Sequence, residues 1–146
     1  MEINGTASCI LRDKSPDITT IAPGATVYEA IELMANYNIG ALPVVEGGRL
    51  VGMFSERDYT RKVILKGRAS RTTRVEEIMA REPVWVDMEE SLAECMRLMT
   101  DKRVRHLPVL ENGKLAGILS IGDLVKWTIS SAEATIDQLT KYVFGE

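Results

Sequence analysis

Metal and redox chemistry have little to work with in this sequence. Histidine occurs once, at His106, and cysteine twice, at Cys9 and Cys95, with no Cys-x-x-Cys pair. A single imidazole with no cluster of Asp, Glu or Cys near it lacks a transition-metal ligand set, so no metal site is expected. Cys95 falls on the apolar stripe of an expected helix and reads as a buried, reduced thiol. Long apolar runs are missing too. The longest uncharged stretch, Leu33 to Val45, has 13 residues and includes Pro43 and two Asn. A bilayer span takes about 20 apolar residues, so no membrane partner is expected. Met1-Glu2-Ile3-Asn4-Gly5 has no basic or apolar leader character, and acidic Glu2 argues against a transit peptide, so the expected compartment is cytoplasmic. Excess positive charge is absent: 18 Lys and Arg stand against 21 Asp and Glu, a net charge of -3. That balance gives no global affinity for nucleic acid or anionic membrane. P-loop, GxGxxG, GxSxG and HExxH motifs are absent, as are paired carboxylates beside a base, so the expectation is no enzyme and no catalytic cofactor.

What the chain does have is itself, twice. Residues 21–59 align on 86–124 at a constant offset of 65 with twelve identities in 39 positions. Unrelated segments of ordinary composition would share about two or three. The identities include Glu29/Glu94, Leu33/Leu98, Met34/Met99, Leu42-Pro43-Val44/Leu107-Pro108-Val109, Gly52/Gly117, Ser55/Ser120 and Asp58/Asp123. Two such units can pack as a pseudo-symmetric pair with related clefts between them.

Each copy reads strand, helix, strand, strand, helix. In copy one, Asp17–Ile21 is a short β-rich run, and Thr26-Val27-Tyr28-Glu29 is a capping box opening a helix. Leu42–Val45 and Leu50–Phe54 flank the turn Glu46-Gly47-Gly48-Arg49. In copy two, Ser91-Leu92-Ala93-Glu94 is the capping box, and Asn112-Gly113 marks a type I′ hairpin between Leu107–Leu110 and Leu115–Leu119. The last helix of each copy starts at Ser55 or Ser120. Short helices over Ala7–Arg12 and Val75–Ala80 precede the copies, and Ile10-Leu11 matches Ile78-Met79 at an offset of 68. Copy one thus carries three extra residues around Lys14–Pro16. The expected divisions are repeat one over 5–66, a polar basic linker over 67–74, repeat two over 75–130, and a helical tail over 131–146. That tail carries Ile136, Leu139, Tyr142 and Val143 at helical spacing.

Both copies end their hairpins on Gly-h-h-Ser-x-x-Asp, with h apolar: Gly52 to Asp58 and Gly117 to Asp123. Alone, Ser-x-x-Asp before a helix is a capping-box start that needs no ligand. With the repeat, the Leu-Pro-Val strand and the turn glycine, it resembles the cystathionine beta-synthase (CBS) domain, and the tandem arrangement resembles a Bateman module. The resemblance covers about residues 5–130. It implies an α/β (α+β) fold of two pseudo-symmetric β-α-β-β-α repeats packed as one module. It also implies a regulatory adenine ligand: AMP, ADP, ATP, a NAD-type dinucleotide or S-adenosylmethionine.

The site residues it implies have physical sense. A carboxylate can accept from both ribose hydroxyls, and a serine at a helix start stands beside unpaired amides that favour phosphate. One implied cleft uses Ile118, Ser120, Gly122, Asp123, Arg105 and His106, with Asp17, Ile18, Thr19, Ile39 and Gly40 from copy one. Its mirror uses Ala41, Met53, Ser55, Arg57 and Asp58, with Val84, Trp85 and Val104 from copy two. Copy two has Arg105-His106 where copy one has Gly40-Ala41, so the Asp123 cleft is expected to hold a mononucleotide more tightly. The module is expected to form a homodimer, with Ala30, Met34, Cys95 and Met99 as contact residues, and to signal in trans to an effector protein. The rival readings are a nucleic-acid binder using the basic 57–74 run, which lacks interleaved aromatics, and an enzyme.

Overall fold

The computed structural model describes residues 3–14 and 17–144, apart from the Tyr142 side chain, so Tyr142's expected place on the tail stripe lies outside the described residues. Helix α1 (Ala7–Leu11) is followed by α2 (Val27–Tyr37), strands β1 (Ala41–Glu46) and β2 (Arg49–Ser55), and α3 (Glu56–Asp58), which runs on as a π-helical turn over Tyr59–Ile64. The second half repeats the order. It has α4 (Val75–Ile78), β3 (Ala80–Arg81), β4 (Val86–Asp87), α5 (Leu92–Lys102), β5 (His106–Glu111), β6 (Lys114–Ser120) and α6 (Ile121–Phe144). Two three-stranded sheets form, β1-β2-β3 and β4-β5-β6, and the first is completed by β3 from the second half of the chain.

Both hairpins turn as their sequences require. Gly47 and Gly48 have φ of 58° and 80°, and Asn112 and Gly113 have 53° and 79°. Two successive positive φ values are the type I′ geometry whose twist matches paired strands. The resulting registers place Ala41 opposite Ser55 and His106 opposite Ser120, so each Ser stands beside the first residue of the Leu-Pro-Val strand.

The cores do not follow the divisions in the chain. Around Phe54, Leu42 and Val44, the first core includes Val75 and Ile78 from α4 and Met79 just after it. The second, around Leu107, Leu119 and Leu124, includes Ala7 and Ile10 from α1. The short helices are therefore exchanged, each completing the core of the other repeat. Equivalent backbone bonds fix both. Val75 N and Glu76 N donate to Ala25 O and Pro23 O at 2.9 and 3.0 Å, and Ala7 N and Ser8 N donate to Glu90 O and Met88 O, both at 2.9 Å. Two strand glycines of the repeated motif, Gly52 in β2 and Gly117 in β6, make room for this exchange. A Cβ on Gly52 would stand 2.5 Å from the Met79 sulfur, and one on Gly117 would stand 2.8 Å from Leu11 Cδ2. Gly52 and Gly117 are thus smooth strand faces on which the exchanged helices rest.

Several local expectations change. The Asp17–Ile21 run makes one parallel bridge, Ile21 to Val44, rather than a strand; its copy-two counterpart β4 pairs over two residues with β5. At α2 the Thr26–Glu29 box closes in both directions, whereas at α5 only the Ser91 side chain caps. Glu94 instead accepts from Arg97 Nε at 2.8 Å, one turn along the helix. Ala30, Met34, Cys95 and Met99, expected at a dimer surface, are core residues with almost no exposure. Burial pushes the Cys95 thiol up to about 11, with Glu90 adding to it.

Candidate functional site

Two clefts open between the repeats, on either side of the first residues of β1 and β5. Gly40, Ala41 and His106 line both.

The Asp58 cleft is a cavity of about 530 Å³, within the usual range for a small-molecule site. Its floor is Met53, Ser55 and Ala41, and its walls carry Arg57, Arg61, Lys62, Lys102, Arg103 and Arg105. Six fixed cations thus face two carboxylates, Glu56 and Asp58. The Ser55 amide and hydroxyl donate to Asp58 Oδ2 at 3.0 and 3.1 Å, and the Asp58 amide donates back to Ser55 Oγ at 3.2 Å. Lys62 pairs with Asp58 Oδ1 at 3.2 Å. The other wall comes from the end of α5. Arg103 caps that helix in the left-handed region, with φ of 54°, and its carbonyl accepts from the Arg57 guanidinium at 3.4 Å.

The Asp123 cleft is smaller, about 380 Å³, and carries fewer charges. Leu11, Ile18, Ile39, Pro43 and Ile118 line it with Thr19 and Ser120. Its charged lining is Lys14 and Asp17. Lys14 donates to the Ile118 carbonyl at 2.8 Å and to Asp123 Oδ2 at 2.9 Å, and the same carboxylate accepts from the Ser120 amide at 2.8 Å. Burial alone would raise the Asp123 pKa. The Ser120 amide, the Lys14 ammonium and the Ser120 hydroxyl more than offset that, leaving it below the ordinary carboxylate value. His106 is held below its usual value chiefly by burial; Asp123 and Glu56 pull it up, Lys14 and Arg105 push it down, and the net shift favours the neutral imidazole.

The expected residues divide as follows. Asp17, Ile18, Thr19, Ile39, Gly40, His106, Ile118 and Ser120 come together around one cavity. Ala41, Met53, Ser55, Arg57, Asp58 and Val104 come together around the other. Arg105 lines the Asp58 cleft, not the Asp123 cleft, because adjacent residues entering a strand project to opposite sides. The charge advantage expected for the Asp123 cleft is therefore reversed. Gly122 and Asp123 do not line the cavity itself; Asp123 meets it through Lys14. Val84 packs on the second core, and Trp85 is half exposed over a separate depression with Arg49, Leu50 and Pro83.

Sequence reading missed Lys14, Lys102 and Arg103. The first stands in the three-residue insertion that breaks the offset, which was its only sign. The remaining basic residues of the linker are spent locally. Arg71 lies over the Tyr28 ring at 3.9 Å, and Arg68 and Arg74 pair with Glu77 and Glu76 at 3.6 and 3.8 Å. Among the described residues, no group of three or more His, Cys, Asp or Glu could hold a metal, and no helix is long and apolar enough to cross a membrane.

This duplicated β-α-β-β-α module with paired clefts is a tandem CBS arrangement. The CBS domain model matches residues 11–64 and 75–130, and the chain belongs to that family. A solved protein with CBS domains from Burkholderia ambifaria is 50% identical with a TM-score of 0.84, over 86% of this chain and 95% of that one. The mitochondrial CBS domain-containing protein CBSX3 of Arabidopsis thaliana is 40% identical over 125 residues, 82% of this chain; the chain spans 61% of that relative's length. The fold is also shared, at TM-score 0.78 and 23% identity, with the CBS domain pair of protein MJ0100, solved in complex with 5-methylthioadenosine and S-adenosyl-L-methionine.

Proposed function

We propose that this CBS pair is a regulatory sensor of adenine nucleotides whose two clefts take ligands of different charge. The observation that carries the reading is the ring of six cations around Asp58, set against the single lysine of the Asp123 cleft. ATP, ADP or a NAD-type dinucleotide occupies the Asp58 cleft, with ribose on Asp58 and phosphates on Arg57, Arg103 and Arg105. AMP or another weakly charged adenosyl compound suits the Asp123 cleft, whose apolar wall of Ile18, Ile39 and Ile118 can hold a base. The adenosyl compounds held by the fold in MJ0100 support the ligand class.

Both clefts take residues from both repeats, so a bound ligand favours one arrangement of the pair. A partner that reads that arrangement is regulated by population shift. The sensor acts in the cytoplasm as a homodimer, signals in trans to an effector protein, and does not turn its ligand over. The linker arginines, paired with acids and Tyr28, leave little for the nucleic-acid alternative.

Calorimetric titration of ATP and AMP into the wild type, Asp58→Ala and Asp123→Ala tests the proposal. Losing a hydrogen bond to a charged group costs about 1.5–3 kcal/mol, or roughly 10–150-fold in affinity. Asp58→Ala should lose ATP by that factor and spare AMP, and Asp123→Ala, which leaves Lys14 on the cavity wall without its carboxylate partner, should weaken AMP and spare ATP. Equal losses of both ligands in both variants would refute the division. Product formed from ATP above a heat-killed control, and abolished by Asp58→Ala, would replace the sensor with an enzyme.

A further inference from the structure

The last helix holds a pattern that the clefts do not use. Val125, Ile129, Ala132, Ile136, Leu139 and Val143 recur along α6 at alternating spacings of four and three residues. That is a heptad seam, with Ile129, Ile136 and Val143 at a and Val125, Ala132 and Leu139 at d. The chain's own module does not cover it. Leu124 is buried in the second core, and Trp127 Nε1 donates to Asn4 O at 2.7 Å, so the c and f positions face the module. The a/d seam lies on the far side, and Ile136, Leu139 and Val143 are 61, 59 and 68% exposed. A row of this kind on a helix running away from its domain is an interface without its other half.

We propose that a second copy of this chain covers the seam, the two α6 helices pairing in parallel as a short coiled coil. The residue choice argues for two parallel strands. β-Branched Ile129, Ile136 and Val143 fill a and Leu139 stands at d, the combination that favours parallel dimers, while Val125 and Ala132 take the other two d positions. Charge argues for the same register. In a parallel pair, g faces e′, which puts Thr128 against Glu133 and Thr135 against Thr140 of the other copy, with no like charges meeting. A fully overlapped antiparallel pair would set Glu133 against its own counterpart, where like charges repel. From Val125 to Phe144 the helix is about 30 Å long, enough for three layers each of a and d. The pairing gives the proposed dimer a defined axis and carries the arrangement of one module to the other. It rests on that dimer reading only in requiring two copies to meet.

Cysteine cross-linking of the full chain in a Cys9→Ser background tests it, with Cys95 left buried. Under mild oxidation, Ile136→Cys at the a position should form a disulfide-linked dimer, whereas the neighbouring Asp137→Cys should not. Failure of Ile136→Cys to cross-link, or equal cross-linking by both, would overturn the seam. Sedimentation equilibrium gives a second reading. Ile136→Asp with Leu139→Asp should weaken self-association at least tenfold, and an unchanged dissociation constant would overturn the proposal. ATP binding measured on the same variants separates the two ideas. An unaltered ATP affinity beside a failed cross-link removes the coiled coil and leaves the sensor standing.

Discussion

The two clefts share one backbone scaffold and differ in almost every charge. Both rest on a Ser-x-x-Asp cap, both face the start of a Leu-Pro-Val strand, and both are walled by the end of a helix from the other repeat. At the 65-residue offset, however, Lys102, Arg103 and Arg105 in the Asp58 cleft correspond to Tyr37, Asn38 and Gly40 beside the Asp123 cleft. Arg57 and Lys62 correspond to Gly122 and Trp127. Duplication has kept what the fold needs, namely the hairpin glycines, the capping serines and the apolar strand, while the walls have diverged. One position shows the tension. Asn38 and Arg103 both cap their helices in the left-handed region, at φ of 53° and 54°. Asn tolerates that conformation, whereas a longer side chain is strained there. Arg103 is held at a conformational cost in the one place where its charge faces a cavity, and strain of this sort gathers at binding sites.

Removing the charge difference should give the largest effect. Arg103→Asn with Arg105→Ala gives the Asp58 cleft a wall like that of its twin. Two lost charge-assisted contacts should weaken ATP on the order of 100-fold, with a much smaller loss for AMP, as read by calorimetry. Thermal unfolding should hold level or rise slightly, because Asn relieves the strained cap. An ATP affinity within threefold of wild type would remove the charge argument.

The comparison extends to the exchanged helices, where the expected effect is intermediate. Gly52→Ala drives a methyl against both the Met79 sulfur and the Ala80 carbonyl, which would stand 2.9 Å away on a backbone that cannot move freely. Gly117→Ala meets only the tip of the Leu11 side chain, which can rotate aside. Overpacking costs about 1–3 kcal/mol, and Gly52→Ala should lie in that range while Gly117→Ala lies below it. In a domain of this size, each kcal/mol lowers the melting temperature by about 2–4 °C. Equal shifts in the two variants would mean that the repeats accommodate the exchange in the same way.

What could be read from the sequence follows the range of each interaction. The repeat, the two-residue turns and the Thr26–Glu29 box are specified by residues within a few positions of one another, and they form as expected. Exchange of α1 and α4 was not legible, since Ile10-Leu11 and Ile78-Met79 fit an apolar core equally well in either repeat. Arg105 was placed in the wrong cleft for a related reason. Spacing shows that residues 105 and 106 stand at a strand start, but the direction of each depends on register and twist. Trp85 matched Thr20 by offset, yet it follows a bend at Glu82, with φ of 47°, and lies over a depression apart from the cleft. Lys14 lies in the one segment with no counterpart at all, where arguing from the other copy has nothing to say.

Lys14 also offers the smallest and most specific way to sharpen the comparison. Its ammonium helps hold Asp123 below the ordinary carboxylate value of 3.8, against the opposing effect of burial. A carboxyl depressed in the folded state adds stability that is present above the unfolded pKa. That stability is lost as pH falls through the lower folded value. Lys14→Met removes the favourable partner and leaves the burial, so the Asp123 pKa should climb and the stability that its ionisation adds above the unfolded pKa should shrink. The side chains of Lys14 and Asp123 are 39 and 22% exposed, so solvent screening holds the effect to a few tenths of a kcal/mol. Urea unfolding at pH 7 and at pH 3 to 4 should show the variant's deficit at neutral pH shrinking as the carboxyl protonates. It should shrink also in 0.5 M salt, where a pair this exposed is screened. A deficit independent of both pH and salt would mean that Lys14 acts through its bond to the Ile118 carbonyl or its aliphatic packing, and that its charge does not tune the Asp123 cleft.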